Sequence, residues 1–378
     1  MIETKSLKQP IALKISSSLF VIIWCLVASF PIAWIAIMSI KLPVDAFSSN
    51  PLTVILGPLT STERNSLSFQ DLLFCILFII VFYKFRGQLY KFYNKYINFS
   101  HIINISFFYI FSIIVFYFLF RFFSYFTPVI DVFSIKVLGY TFEHYQTVWM
   151  ERGFLNYFKN SVIVTLGVVI VSLTFGTLAG FALARSKSSI AFWILVIALI
   201  FRALPHSILV AGYLPFFMNS AEILKPIMGE LAPTFFGKPF AVIAVLVAIN
   251  QPFTIWLMRS FFQNIPSELD EAARIDGCSH FQAFIKIIMP IMWPGVITTG
   301  LFSFMLGYND YLVTSLLLDA QNQTMVPAIS GLFNRDTSTT DQVVAVAAAV
   351  SITAPLFLLV LFFQKQIVSG LTAGAVKG

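Results

Sequence analysis

Eight stretches of about twenty predominantly apolar residues follow one another along this chain, near 18–40, 67–85, 102–123, 160–184, 190–214, 240–260, 285–307 and 342–364. A run of that length crosses the hydrocarbon of a bilayer as an α-helix, and lipid admits little else because a helix satisfies its own backbone. The expected fold is all-α, a polytopic membrane helix bundle of about eight transmembrane helices. Only 11% of the 378 residues are charged and 58% are hydrophobic, whereas soluble domains carry about 25% charged residues. The net charge of +7 is spread over the loops, so it bears on topology and implies no nucleic-acid partner. Cys25, Cys75 and Cys278 are too few and scattered for a disulfide framework. Lys5, Lys8 and Lys14 precede an apolar run too long for a signal-peptide core and without a small-residue cleavage site. A retained first span is expected.

Charge placement sets the orientation. With the N-terminus in the cytoplasm, the cytoplasmic segments hold Lys5, Lys8, Lys14, Lys84, Arg86, Lys91, Lys95, Arg185, Lys187, Arg259, Arg274, Lys286, Lys365 and Lys377. Those are most of the 24 Lys and Arg residues, as the positive-inside rule requires. Both termini are then cytoplasmic. The second and third spans, joined by the basic loop Lys84–His101, leave and re-enter on one side, so removing them leaves the remaining topology unchanged. They read as an insertion. The chain divides into 1–50 with the first span, an inserted membrane hairpin at 51–134, and a core at 135–378.

Between the sixth and seventh spans lies a polar stretch, NIPSELDEAARIDGCSHFQAFIKIIMPIMWPG, from Asn264 to Gly295. Ser267 with Asp270 reads as a capping box, and a short helix over about Glu268–Asp276 follows, roughly 13 Å long. Gly277 suits the left-handed residue that ends such a helix. Ser279 with Gln282 reads as a second capping box, opening a helix that enters the membrane with Pro290 and Pro294 in its first turns. Glu271 stands beside Ala272 and Ala273, a charged anchor next to residues small enough for another backbone to approach closely.

Glu271-Ala272-Ala273, Gly277 and, nine residues on, Ile287-x-Met289-Pro290 resemble the EAA loop of ABC importer permeases, with Met289 where Leu usually stands. The tail Gly370-Leu371-Thr372-Ala373-Gly374-Ala375-Val376-Lys377-Gly378 resembles that of the second permease subunit of maltose-type sugar importers. Phe158-x-Asn160-Ser161, Ala182-x-Ala184-Arg185 and Ile265-Pro266-x-Glu268-Leu269 match the same group. Tyr308-Asn309-Asp310-Tyr311 stands where the group has Trp-Asn-Glu-Phe. The resemblance covers about 12–50 and 135–378 and implies a six-helix permease core plus the two inserted helices.

It further implies a binding-protein-dependent, ATP-driven sugar importer in the bacterial inner membrane. Its partners would be a second permease subunit, an ATPase dimer, a periplasmic or extracellular sugar-binding protein and membrane lipid. The cytoplasmic coupling loop 264–285 would meet the ATPases through Glu271, Ala272, Ala273, Asp276 and Gly277, with Met289 and Pro290 closing the motif. Gly370, Leu371, Thr372, Gly374, Lys377 and Gly378 would reach the ATPase interface. The outer loop Asp319–Asp341, with Asn322, Gln323 and Thr324, would dock the binding protein. No cofactor is expected on this chain, because ATP and Mg would sit on the partner.

Polar residues at membrane depth read two ways. Arg202 and His206 lie one turn apart beside Pro205; such a charge marks either function or a structural partner. Asn250 and Gln251 interrupt the sixth span, either lining a hydrophilic pathway or bonding between helices. Tyr308 and Asn309 join them as pathway candidates. In maltose-type importers, though, sugar contacts resemble a property of the first permease. No G-x-x-x-x-G-K-[ST] phosphate loop is present. The four His residues have no metal-ligand spacing, and no catalytic constellation appears, so the chain is not expected to be an enzyme. A self-sufficient secondary transporter or channel is the alternative; it requires intramembrane ion ligands, for which only Arg202 is a candidate.

Overall fold

The computed structural model describes residues 11–96, 101–126, 136–334 and 338–373. It is an all-α membrane bundle, with one short two-stranded ribbon. Two units emerge, Met1–Gln146 with Thr337–Ala347, and Thr147–Asp336 with Ala348–Gly378.

In the first unit, α1 (Ile11–Met38) leads into three short helices, Pro43–Ala46, Pro51–Leu56 and Pro58–Glu63. Strand β1 (Asn65–Ser68) pairs antiparallel with β2 (Lys136–Tyr140), Ser66 opposite Gly139, with an irregularity between Leu67 and Ser68. These pieces enclose a polar knot. Lys41, fully buried, donates from Nζ to the Gly139 carbonyl. Asp45 accepts from the Thr60 amide at 2.6 Å and its hydroxyl at 2.7 Å. The His144 ring donates from Nε2 to the Lys41 carbonyl at 2.8 Å. Gly57, at φ +64°, has no room for a side chain, since a Cβ there would lie 2.9 Å from the Lys41 side chain. Between the two strands, α2 (Phe69–Tyr96) and α3 (His101–Phe126) form a hairpin zipped by aromatic rings. Phe78 meets Phe116 at 4.6 Å and Phe74 meets Phe116 at 6.0 Å between centroids, distances at which ring pairs attract.

The second unit is built on α4 (Phe154–Arg185), α5 (Ser189–Arg202), α6 (His206–Met218), α7 (Pro239–Phe262), α8 (Glu268–Ile275) and α9 (His280–Asn309, with a π turn at Phe284–Ile288). The last helix, α10 (Thr339–Ala373), belongs to it from Ala348. α4 and α7 lie so close that a Cβ on Gly176 would sit 2.4 Å from Thr254 Cγ2, and one on Gly180 2.7 Å from Met258 Cβ. Gly176 and Gly180 form a small-xxx-small stripe, the usual means by which membrane helices approach backbone to backbone. Val164, Val168, Val245, Leu246 and Leu317 fill the core at one end of this packing, and Met258, Phe262, Phe284 and Ile288 fill it at the other.

Six described helices are long and apolar enough to cross a membrane, and one bent pair brings the number to seven. The count of eight is therefore not reached among the described residues. α3 is left out of that number, standing beside it only as the shorter apolar stretch Phe108–Phe122. The fifth span, expected as one helix over 190–214, is α5 and α6 turned by 96°. The break falls at Pro205, which lacks the N–H needed to continue α5 and starts α6 as its N-cap.

Candidate functional site

The loop between α7 and α9 folds as a short helix held between two turns. α8 covers Glu268–Ile275. Ser267 does not cap it: its backbone is already helical at φ −66° and ψ −21°, and its side chain makes no cap hydrogen bond. The carboxylate of Asp270, expected to complete that box, is instead taken by Arg185. The helix ends as read. Gly277 sits at φ +90°, the Cys278 N–H donates to the Ala273 carbonyl at 3.0 Å, and this closure from five residues on is the helix-ending pattern that glycine permits. The second box is complete, with the Gln282 N–H donating to Ser279 Oγ and the Ser279 N–H to Gln282 Oε1 at 2.9 Å. The π turn Phe284–Ile288 then resets the register, so that Pro290 falls in the first two positions of the α-helical stretch Met289–Asn309. There its missing N–H costs no hydrogen bond.

Arg185 is the hub. From the last turn of α4 its Nε meets Asp270 Oδ2 at 2.5 Å, and its Nη1 donates to the Ile265 carbonyl at 3.0 Å and the Phe262 carbonyl at 3.4 Å. Its guanidinium also lies 5.7 Å from the Phe181 ring centroid. One planar fork thus ties α4 to the end of α7 and the start of α8, a task that suits arginine and not lysine. Ala273 is buried and forms the floor of α8. Glu271, Ala272 and Asp276 face outward, and Ile275 is 87% exposed, with Leu269 and Phe281 also uncovered. An anchored helix therefore presents an acid flanked by bare apolar side chains. Met289 is half-buried and Pro290 exposed. Gly370, Leu371 and Thr372 lie in the final turns of α10, whereas Gly374, Lys377 and Gly378 fall outside the described residues.

The membrane-depth candidates separate. Arg202 sits 4.7 Å over the Phe253 ring of α7, and Arg259 sits 5.1 Å over Phe192 of α5, so two cation–π contacts fasten α5 along α7. Asn250 is buried and donates from Nδ2 to Ser303 Oγ of α9 at 2.7 Å. Gln251 differs: both its amide atoms are shielded and neither has a hydrogen-bond partner. Tyr308 is buried, with its hydroxyl donating to the Ile352 carbonyl at 2.9 Å, while Asn309 is exposed.

The outer loop is clipped from several sides. Asn160 Nδ2 donates to the carbonyls of Gln321 at 3.0 Å and Gln323 at 3.1 Å, and Ser161 Oγ accepts from the Met325 N–H at 2.9 Å. This gives the Phe158-x-Asn160-Ser161 motif a concrete task. Asn322 Nδ2 donates to the Gly237 carbonyl and to Asp319 Oδ1, both at 2.9 Å. The Asn322 N–H holds the Asp319 carboxyl below its ordinary range. Thr324 is buried. Beside the loop opens a recess of about 230 Å³, lined by Arg152, Tyr157, Gln323, Pro327, Gly331 and Leu332 among others. Among the described residues no group of three or more His, Cys, Asp or Glu side chains is placed to hold a metal.

Residues 172–372 match the family described as binding-protein-dependent transport system inner membrane component. The chain is 32% identical over 242 residues to the maltodextrin transport system permease protein MdxG of Bacillus subtilis, covering 64% of this chain and 82% of that protein. It is 31% identical over 259 residues to the diacetylchitobiose uptake system permease protein DasC of Streptomyces coelicolor, covering 67% and 88% respectively. It is also 31% identical over 240 residues to the trehalose/maltose transport system permease protein MalG of Thermococcus litoralis, covering 63% and 82%. A helical membrane bundle with this match defines a transport permease. The chain belongs to the binding-protein-dependent transport system inner membrane component family.

Proposed function

We propose that this chain is a permease subunit of a sugar importer, pairing with a second permease and two ATPase subunits and receiving its cargo from a binding protein. The names of the relatives, which concern maltodextrin, diacetylchitobiose and trehalose or maltose, support a neutral oligosaccharide. The carrying observation is α8. It is locked to α4 and α7 through Arg185, ended by Gly277, and bare on the face holding Glu271 and Ile275. Closure of an ATPase dimer against that face would move α8 as a lever, and the rigid link would pass the motion to the spans, a two-state switch biased by ATP. ATP and Mg would stay on the partner. The basic residues support a cytoplasmic place for the termini and α8. Asn322, Gln323 and Thr324, with the recess at Arg152, form the proposed docking ground for the binding protein. Gln251, whose amide no protein group satisfies, is the best-placed pathway residue. Asn250 and Tyr308 are occupied by neighbours, and Arg202 lies over the Phe253 ring but leaves its buried Nε without a hydrogen-bond partner.

Glu271→Ala and Gly277→Val test this in reconstituted vesicles. Truncating one partner of a partly desolvated charge pair costs about 2–5 kcal/mol, so Glu271→Ala should weaken ATPase docking at least tenfold. Gly277→Val forces a β-branched residue to φ +90° and should misdirect the helix without preventing insertion. Both variants should lose uptake and binding-protein-stimulated hydrolysis, while Gln321→Ala on the outer loop leaves ATPase docking unchanged. Wild-type uptake by both loop variants would remove α8 as the lever.

A further inference from the structure

The hairpin of α2 and α3 lies outside the span of the family match and carries a feature that the transport reading does not use. Between the helices runs a groove of about 420 Å³, walled by Phe78, Ile79 and Phe82 of α2 and Tyr109, Ile113 and Phe116 of α3. That volume is within the range of small-molecule sites, about 300–1,000 Å³. Ile79 and Ile113 are about two-thirds exposed, so the groove opens to its surroundings along one side. Ser112, at its edge, spends its hydroxyl on the Phe108 carbonyl at 2.8 Å, and the walls ask for nothing polar.

One end of the groove is charged. Arg86 follows Phe82 by one helical turn and continues the groove-lining face of α2. It is exposed and steadied 4.8 Å over the Tyr83 ring, while Lys84, 5.7 Å over the Phe85 ring, adds its charge to the same helix end from the opposite face. Lys91 and Lys95 follow in the same helix, and the sequence has no Asp or Glu between Asp71 and Asp131. The positive charge at this end is therefore not offset by acids of its own segment. An occupant that is apolar along the groove and negative at this end is required. A second copy of the hairpin would bring the same cluster of positive charges and be repelled.

We propose that this groove is a binding site for an anionic diacyl phospholipid, with an acyl chain between α2 and α3 and the phosphate on Arg86. The chain would complete the aromatic wall by dispersion and apolar contact, and the basic cluster would select the headgroup, as clustered Lys and Arg beside a span select anionic lipid. This inference does not depend on the cargo or on α8.

The test uses the full-length chain, with the subunits that co-purify, in nanodiscs of phosphatidylcholine doped with a photoactivatable lipid. The probe carries a diazirine in mid-chain and either a phosphatidylglycerol or a phosphatidylcholine headgroup, and adducts are mapped by peptide mass spectrometry. Exposed Phe357 and Phe362 of α10 serve as the reference for ordinary lipid contact and correct insertion. The phosphatidylglycerol probe should label 75–82 and 109–116 in excess of that reference and of the phosphatidylcholine probe. Arg86→Gln should lower that labelling roughly fivefold, and Lys84→Gln by less, leaving the reference unchanged. Ile113→Trp, which fills the groove and keeps the charges, should lower labelling by both probes. Equal labelling by both headgroups in the parent chain would make this ordinary boundary lipid and overturn the proposal. Labelling no greater than the α10 reference, or a cross-link from the groove to another polypeptide, would overturn it too.

Discussion

Arg185 carries more of the proposed coupling site than any residue of the loop itself. Its fork holds one carboxylate and two carbonyls, so Arg185→Lys cannot replace it. We expect Arg185→Lys and Arg185→Ala to weaken ATPase docking about tenfold, a loss of about 1.4 kcal/mol, measured by titrating the ATPase subunit onto the chain in detergent. Asp270→Asn combined with Arg185→Ala should cost less than the two single losses together, because both remove the same contact. Full additivity would place the two residues in separate roles. Lys41 offers a pH test. Burial lowers its ammonium from the ordinary 10.5 to about 8, with the charge of Asp45 acting against that shift. Between pH 8 and 10.5 the unfolded chain therefore holds more protons than the folded one, and stability rises with pH in that window. Below pH 8 the folded chain bears the full penalty of a buried charge. Lys41→Met removes the titration while Asp45 keeps its bonds to Thr60. The Tm difference between variant and parent should therefore shift in the parent's favour from pH 7.5 to pH 10. A difference that does not change with pH would mean that Lys41 does not titrate there.

Among the elements, the spans and the turns that bound α8 were legible because their signals are local. Apolar run length gave α1, α2, α4, α7, α9 and α10, and Ser279 with Gln282 gave the start of α9. Gly277 gave the end of α8 for the same reason, since a left-handed residue is chosen by its own backbone. Pro205 signalled a break, but a missing N–H fixes no angle, and the 96° turn depends on how α5 is fastened to α7. The Ser267 box failed because Asp270 had a stronger partner 85 positions away, a pairing that no short-range pattern encodes. The polar knot around Lys41 was invisible for the same reason. It joins 39–68 to 136–146 across the hairpin, so the segment 51–68 contributes to this knot and to β1. A deletion that tests the hairpin should therefore spare it. Replacing 71–134 by a short linker should leave ATPase co-purification at the parental level. Its loss from a well-expressed, correctly inserted deletion would mean that the hairpin supports the transport core.

For the whole molecule, the distribution of Lys and Arg makes the sharpest demand. Basic residues cluster at the span ends that the proposed topology puts in the cytoplasm: Lys84, Arg86 and Lys91 on α2, Arg185 and Lys187 after α4, and Arg259, Arg274 and Lys286 around α8. Each such residue near a span end favours retention in the cytoplasm. The hairpin and the core must agree, because α2 and α3 return the chain to the side they left. On the proposed reading, α8 is expected on the side where ATP is found. Cysteines placed singly at exposed Gln88, Gln263 and Gln321 test this once the three native thiols, Cys25, Cys75 and Cys278, are replaced by serine or alanine. In intact cells a membrane-impermeant maleimide should label Gln321→Cys and spare Gln88→Cys and Gln263→Cys until the cells are opened. Labelling of Gln88→Cys alone from outside would invert the hairpin against the core. Labelling of Gln263→Cys from outside would put α8 on the wrong face for any ATPase, and the lever would fall with it.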